Sequence, residues 1–404
     1  MTTDTKLNPE EAEAFADRCR EFLEANTEYD LGRRNIAAGR KFQAALAEAG
    51  LAGLSYGKEF GGAGLTSEHE RIYRQVAGNF PAMANDFVIS HGMCLPVLNE
   101  FGTEEQKQQF MPDNISGTTM WCQMFSEPGA GSDVASLQTK AVRDGDEWIL
   151  NGQKVWTTLA HVSDYGIIIA RTDPEQPKHA GISMFILDMR APGVEIRPIH
   201  QIDGGSHFNE IFFTDVRIPA DRLLGEYNNG WRQATAMLMY ERVAIGSAGA
   251  GKISQPWYKM LRDIATEAGR IDDPVVRDQL MEIYCMETTK SLVAMRTRAE
   301  MKAGKAPGPG GSLGKLYGSV IMWRFREIAM EIAGANSMAW SDGDAAGAAL
   351  STQVVGSFSS SIAGGTDEIQ RNIIGDRVLG LPRDISVDTG VPFKELKVGT
   401  IRND

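Results

Sequence analysis

The sequence predicts an α+β protein with a helical N-terminal domain, a central antiparallel β-barrel-like domain and a C-terminal four-helix bundle. Three observations predict this class: helical periodicity before residue 120, short alternating β-branched segments after it, and helical periodicity again after Gly230. A chain of 404 residues is longer than one hydrophobic core usually organises. We therefore predict domains at 1–119, 120–228 and 229–383, followed by a tail at 384–404.

The N-terminal helices are predicted from their start signals. Asn8 precedes Pro9 and two glutamates, which suit the positive end of a helix dipole. Thr103 and Gln106 have the spacing of a capping box. The first residues are acidic and polar, unlike a signal or transit peptide, so we expect a cytoplasmic protein.

The central domain is predicted to begin with two hairpin turns. The Asp-Gly-Asp run at 144–146 and the Asn-Gly pair at 151–152 both separate alternating segments, as hairpin turns do. Residues 126–133, Ser-Glu-Pro-Gly-Ala-Gly-Ser-Asp, form a Gly-rich loop able to present backbone N–H groups to an anion. The indole of Trp156 follows the second turn. Together these features suit a flat cofactor that carries phosphate, although an ordinary tight turn and a core tryptophan fit the same residues.

Helical periodicity fills most of the rest of the chain. We predict helices over the following ranges: 231–267, 274–303, 312–335, 345–363 and a short helix from Asp367. From Asp384 the sequence indicates a loosely structured tail able to lie on a neighbouring subunit.

Composition excludes several classes of function. A net charge of −12 argues against a nucleic-acid partner, because phosphate backbones require clustered Lys and Arg. No stretch approaches the ~20 apolar residues of a membrane span, so no membrane partner is expected. The four cysteines and six histidines lack metal-ligand spacing, which predicts free thiols and no metal site.

Glu241 is the candidate catalytic residue. On the predicted helix it shares one face with apolar residues at helical spacing, among them Ala234, Met237 and Leu238. A carboxylate that faces an apolar interior is costly unless it is paired or used, and burial favours its uncharged form, which suits a general base. The alternative is a structural glutamate paired with an arginine.

Four segments stand out in order along the chain: the loop at 126–133, the run Trp156-Thr157-Thr158, the pair Glu241-Arg242 and the segment 364–370, Gly-Gly-Thr-Asp-Glu-Ile-Gln. Together they resemble the acyl-CoA dehydrogenase family. The resemblance spans roughly residues 10–383. It implies bound FAD and α,β-dehydrogenation of an acyl-CoA thioester to a trans-2-enoyl-CoA, by α-proton abstraction and hydride transfer from the β-carbon to flavin N5.

The resemblance also implies flavin-binding positions. Phe125 and Ser126 match isoalloxazine contacts, Gly131 and Ser132 match pyrophosphate contacts, and Trp156 and Thr158 match positions beside the flavin ring. In the C-terminal segment, Thr366 and Glu368 match positions near the flavin. Arg270, Glu331 and Ala335 match positions that reach a neighbouring subunit's adenosine. Residues 271–274 lack the Phe-Gly-Lys usual in the family.

The resemblance places the catalytic base on the helix. The position at which most of the family carries it is Gly364 here, whereas Glu241-Arg242 matches the pair of isovaleryl-CoA and long-chain acyl-CoA dehydrogenases. Gly364 and Arg242 are then expected in the oxyanion and substrate pocket. The room left by Gly364 suggests an acyl group that is branched or bulky near its reactive carbons, from a fatty acid or a sterol side chain.

The resemblance further implies a tetramer, of one or two kinds of subunit, and electron-transferring flavoprotein as the acceptor. Two alternatives remain open. One is a catalytically silent or half-site subunit of a hetero-oligomer, and the other is a flavin oxidase or hydroxylase of the same fold.

Overall fold

The computed structural model describes residues 7–26, 35–80, 85–246, 253–302, 310–339, 345–383, 385 and 388–396. It contains two compact units. The first unit comprises 1–200, 206–244 and 387–404, and the second comprises 201–205 and 245–386.

The first unit begins with five helices. They are α1 (Pro9–Asn26), α2 (Ile36–Glu48), α3 (Ser67–Ala77), α4 (Leu95–Phe101) and α5 (Glu104–Ile115). Both predicted start signals form. The Glu11 N–H donates to the Asn8 side chain and the Asn8 N–H donates to the Glu11 carboxylate. Thr103 and Gln106 make the reciprocal capping box ahead of α5.

A central sheet of eight strands follows the helices. The strands are β1 (Trp121–Met124), β2 (Lys140–Asp144), β3 (Glu147–Thr158), β4 (Tyr165–Arg171), β5 (Ile182–Asp188), β6 (Val194–Ile199), β7 (Phe208–Pro219) and β8 (Leu223–Leu224). Their spatial order is β6-β7-β3-β2-β4-β5-β8, with β1 beside β4. The predicted antiparallel pairing holds for most neighbours, but β4 pairs in parallel with both β1 and β2.

Strand β4 shows why this sheet is buried on both faces. Its run of apolar residues sends Ile167 and Ile169 into a core shared with the N-terminal helices. Ile168 and Ala170 pack into a second core on the opposite face. A nearly continuous apolar strand is the pattern expected where both faces of a sheet are covered.

One of the two predicted hairpin turns is wrong. Gly145 and Asp146 do connect β2 to β3, since Asp144 pairs with Glu147. Asn151 and Gly152, however, lie inside β3 at an irregularity in its pairing with β7. The Asn151 side chain exchanges hydrogen bonds with Asp215 of β7 at 2.9 and 3.0 Å. The Asn-Gly pair therefore forms a bulge in a continuous strand, and the hydrogen bonds between Asn151 and Asp215 hold this bulge against β7.

The first unit also includes α6 (Gly230–Gly246) as far as Ala244, and the C-terminal segment. In place of the loose tail that the sequence predicts, residues 388–396 pack against the central domain of the same chain through backbone hydrogen bonds to Pro174 and Gln176. The other tail residues, apart from Ile385, lie outside the described part of the chain.

The second unit is helical. It contains α7 (Pro256–Glu267), α8 (Pro274–Lys302), α9 (Gly310–Ala333), α10 (Ala345–Gly356) and α11 (Asp367–Arg377). The first four enclose one apolar core that includes Leu261, Ile283, Phe325 and Leu350. The single helix predicted over 231–267 is wrong: residues 253–255 are not helical, and α7 begins at Pro256, where proline at the first helical position suits a new helix.

Candidate active site

The Gly-rich loop at 126–133 leaves the end of β1 and folds back on itself. Glu127 and Ala130 exchange two backbone hydrogen bonds of 3.0 Å, which fixes a tight turn around Pro128 and Gly129. Gly131 is exposed, and a Cβ built on it would meet nothing within 4 Å. The turn therefore presents an open stretch of backbone at Gly131, which another group can approach closely.

A buried ion pair holds this loop to the sheet. Lys154 of β3 is fully buried, and its ammonium donates to a Glu127 carboxylate oxygen and to the Phe125 carbonyl, both at 2.8 Å. The same carboxylate accepts the backbone N–H groups of Gln138 and Thr139 at 2.6 and 3.0 Å. One charge pair thus ties the start of the loop to β3 and to residues 138–139, which follow the loop.

The Glu127 carboxylate remains charged in this setting. Burial on its own would raise its pKa, but the Lys154 ammonium and the backbone donors outweigh that effect and lower the pKa below its usual value. The sequence prediction missed both residues. The signal was present in the alternation of β3, because Trp148, Leu150 and Lys154 occupy the inward-facing positions of one strand.

Trp156 is displayed beside the loop. The Val155 N–H donates to the Ser126 carbonyl at 2.9 Å, so this part of β3 lies next to the start of the loop. Trp156 has a φ of 62° at a second irregularity of β3, and its side chain is 59% exposed. It is therefore not the core tryptophan that the sequence left open. Its indole meets Phe208 edge-on at 6.0 Å.

Thr157 and Thr158 complete this edge of the sheet. Thr157 is buried, and among the residues that the structure describes its hydroxyl has no hydrogen-bond partner. Thr158 pairs with Phe208 of β7 and is partly exposed. A buried hydroxyl without a partner is unusual, because most such groups are hydrogen-bonded.

Glu241 lies on α6 in the same unit as the loop. Ala234 and Met237 of this helix are fully buried, and Glu241 is partly buried. The neighbouring Tyr240 donates its hydroxyl proton to the Glu100 carboxylate at 2.7 Å, which fixes the helix against α4. The side chain of Arg242 lies outside the described part of the structure.

The remaining candidate residues lie in the second unit. Arg270 donates to the Glu331 carbonyl at 2.9 Å and to the Asp273 carboxylate at 3.0 Å, so the structure brings Arg270 and Glu331 together. Ala335 follows in the short 3₁₀ turn after α9. These residues form an exposed group that includes a held guanidinium.

Gly364 and Thr366 lie at the start of α11. Gly364 and Gly365 both have positive φ, at 66° and 87°, a conformation that other residues rarely adopt. Thr366 caps α11 by accepting the Ile369 N–H, and Glu368 is exposed. Thr366 and Glu368 also line a recess of about 600 Å³ together with Trp323, Arg324, Ile362 and Arg371.

Metal and membrane roles gain no support. Within the described ranges, no cluster of three or more His, Cys, Asp or Glu side chains is placed to hold a metal ion. No helix in those same ranges is long and apolar enough to cross a bilayer. All four cysteines are free thiols.

The chain thus contains a helical domain, a central sheet with a Gly-rich loop beside an exposed indole, and a second helical domain. Family models for the N-terminal, middle and C-terminal domains of acyl-CoA dehydrogenases match residues 9–118, 122–216 and 228–379. The chain belongs to the acyl-CoA dehydrogenase family, whose members are FAD-dependent oxidoreductases.

Three relatives illustrate the match. The chain is 38% identical over 351 residues to acyl-CoA dehydrogenase IpdE1 of Mycobacterium tuberculosis, covering 85% of this chain and 88% of that protein. The solved structure of the Tcur3481-Tcur3483 steroid ACAD superposes with a TM-score of 0.77 at 26% identity, covering 94% and 99% of the two chains. The ChsE4-ChsE5 complex from Mycobacterium tuberculosis gives 0.75 at 28% identity, with the same coverage.

Proposed function

We propose that this protein oxidises an acyl-CoA thioester to the trans-2-enoyl-CoA, with Glu241 as the base that removes the α-proton. Family membership supports the reaction class. The assignment of Glu241 rests on the residue at position 364, where most of the family carries the base and this chain has glycine. Glycine has no side chain to accept a proton, and its φ of 66° disfavours any residue that would have one. Glu241, partly buried on α6, is the matching carboxylate of the helix position.

The residues of the first unit fit FAD. An isoalloxazine needs a flat apolar surface and hydrogen-bonding groups, which the exposed Trp156 indole and the partly exposed Thr158 would supply. A pyrophosphate needs closely approachable backbone, which the open position of Gly131, with Ser132 beside it, supplies. Phe125 and Ser126 would hold the ring at the base of the loop.

In the second unit, Thr366 and Glu368 are the residues that we propose as FAD contacts. Arg270, Glu331 and Ala335 would reach the adenosine of a neighbouring subunit's FAD. The Arg270 guanidinium is held by the Glu331 carbonyl and Asp273, so its position is set before any ligand arrives. When bound, FAD supplies the acceptor for the β-hydride.

The chain's own residues carry the proton chemistry. Glu241 accepts the α-proton as charge develops on the thioester oxygen. The Gly364 N–H donates to that oxygen, where a positioned backbone donor is most effective. Arg242 is the other residue that we propose for substrate binding. A carboxylate positioned as general base contributes ~10²-fold or more to the rate.

The substrate we propose is branched or bulky next to the thioester, such as a degraded sterol side chain or ring. Gly364 leaves the space of a whole side chain at the position where most of the family carries the base. One of the similar structures is that of a steroid ACAD, which supports a substrate of this kind. Electron-transferring flavoprotein is the acceptor that we propose.

The assembly we propose is a tetramer, and two kinds of subunit are the second candidate arrangement. Two of the similar structures carry the names of two different proteins each, Tcur3481-Tcur3483 and ChsE4-ChsE5. In that arrangement this chain would contribute either the complete site or part of one. The intact loop and Glu241 favour the catalytic role.

The test is to purify the chain alone, measure bound flavin, and titrate it anaerobically with straight, branched and steroid acyl-CoAs. We expect bound FAD and reduction by at least one bulky thioester. Protein that neither contains flavin nor takes up added FAD would refute the enzyme proposal. Bound FAD that no thioester reduces would favour the half-site subunit. Rapid reoxidation by oxygen after reduction would identify an oxidase.

A further inference from the structure

The C-terminal segment 388–396 lies beyond residue 379, where the match to the family model ends. It nevertheless has defined contacts with the loop 172–181 that connects β4 to β5. The Phe393 N–H donates to the Gln176 carbonyl at 2.9 Å and the Lys394 N–H to the Pro174 carbonyl at 3.0 Å. The Lys394 ammonium also pairs with Glu175 at 2.7 Å.

Two side-chain contacts extend this attachment inward. The Phe393 ring is buried, and the Arg171 guanidinium lies over it at 3.7 Å. Asp388 pairs with Lys178, which also pairs with Asp133 of the Gly-rich loop at 3.2 Å. The segment thus holds two cations, Arg171 and Lys178, that belong to or border the connecting loop.

Lys178 contacts the Gly-rich loop itself, and Arg171 contacts the short 3₁₀ turn that follows it. Arg171 is buried and donates to the carbonyls of Ala135 and Lys178 at 2.6 and 2.8 Å. Lys178 contacts Asp133, the last residue of the loop. The connecting loop also reaches the helix of the candidate base, because the His179 ring meets Trp231 of α6 at 4.8 Å.

We propose that residues 388–396 form a brace that positions the Gly-rich loop through Lys178 and Arg171, and so raises the affinity for FAD. Lys178 is a positioning residue, since it touches Asp133 and not the reacting atoms. The link to FAD rests on the proposed function, whereas the mechanical link between the segment and the loop stands on the contacts alone.

The test compares Asp388→Asn with Asp376→Asn in the full-length protein. Both changes remove one carboxylate charge from an ion pair, and the two side chains are similarly exposed, at 30% and 29%. Asp376 pairs with Arg383 in the second unit, so it serves as a matched control. A truncation after Ile385 removes the whole brace, and circular dichroism checks that it folds.

Two readouts distinguish the effect of the brace on the loop from its effect on FAD binding. Amide hydrogen exchange of the apo-protein reports the opening of residues 126–139, and flavin fluorescence reports FAD binding. For Asp388→Asn we expect exchange in 126–139 to quicken roughly three- to tenfold and the FAD dissociation constant to rise by about the same factor. The truncation is expected to have a larger effect and Asp376→Asn none.

The outcomes are distinct. Wild-type exchange in 126–139 in both Asp388→Asn and the truncation would overturn the brace. Faster exchange with unchanged FAD affinity would overturn its effect on the cofactor. A wild type that binds no FAD would refute the proposed function, and the exchange rates would still decide whether the brace exists.

Discussion

Replacing Lys154 with methionine should destabilise the protein and loosen its cofactor loop. Methionine keeps the volume but removes the ammonium that donates to Glu127 and Phe125 at 2.8 Å. Breaking a buried ion pair by removing one partner usually costs ~3–5 kcal/mol, because a buried charge is left uncompensated. Glu127 retains two backbone donors, at Gln138 and Thr139. We therefore expect about 3 kcal/mol, the lower end of that range.

The assay is urea unfolding of the apo-protein followed by tryptophan fluorescence. Arg217→Met is the control. Arg217 of β7 forms an exposed ion pair with Glu147, which lies on the same strand as Lys154, and loss of this pair should leave the urea midpoint unchanged. In the double variant Lys154→Met/Glu127→Gln the uncompensated charge is gone, so much of the lost stability should return.

Loosening the loop should also weaken FAD binding, by roughly tenfold in Lys154→Met, which corresponds to about 1.4 kcal/mol. The reasoning would be refuted by a Lys154→Met protein that loses less than about 1 kcal/mol, the value of a surface pair. It would also be refuted if the double variant were less stable than the single one.

Two further predictions concern glycine positions and pH. Gly131→Ala should leave the stability of the apo-protein unchanged and weaken FAD binding about tenfold, because its Cβ meets open space. Gly152→Ala should cost ~1–3 kcal/mol of stability, because the φ is 150° and the new Cβ would lie only 2.5 Å from the Thr139 hydroxyl. Equal effects of Gly131→Ala and Gly152→Ala on the melting temperature and on FAD titration would contradict this prediction. Burial lowers the pKa of His91 from 6.5 to about 4, although its hydrogen bond to the Asn114 carbonyl opposes this. Between these two pKa values the unfolded chain binds a proton at His91 that the folded protein does not bind. The free energy of unfolding should therefore fall by ~1–2 kcal/mol from pH 7.5 to pH 5. Denaturation at both pH values should show a smaller fall in His91→Gln, and an equal fall would argue against this role of His91.

Local signals in the sequence were enough to predict the class of fold. Residues at 3.6-residue spacing predicted helices because each helix buries one face, and the Thr103 and Gln106 caps formed as predicted because their bonds are local. The Asn-Gly pair at 151–152 misled because the same residues that favour a turn also favour a bulge. The choice between them depended on Asp215, which is 64 residues away in sequence.

The parts of the candidate site that were missed depend on contacts between distant segments. Lys154 and Glu127 are 27 residues apart, and their pairing follows from the register of β3 beside the loop. The Phe393 ring packs against the guanidinium of Arg171 on β4, a contact that no local sequence pattern indicates. The contact of Arg270 with Glu331 spans 61 residues and closes only when α7 and α9 pack together.

The measurement that tests Glu241 as the base most directly is the rate of anaerobic flavin reduction in a single turnover, compared between wild type and Glu241→Gln. The acyl-CoA would be one that reduces the wild type. Glu100→Gln is the control, because Glu100 accepts the hydrogen bond of the adjacent Tyr240 and glutamine can still accept it. We predict a fall of ~10²-fold or more in Glu241→Gln with near-normal reduction in Glu100→Gln. Reduction at the wild-type rate in Glu241→Gln, with FAD bound, would contradict the assignment of the base.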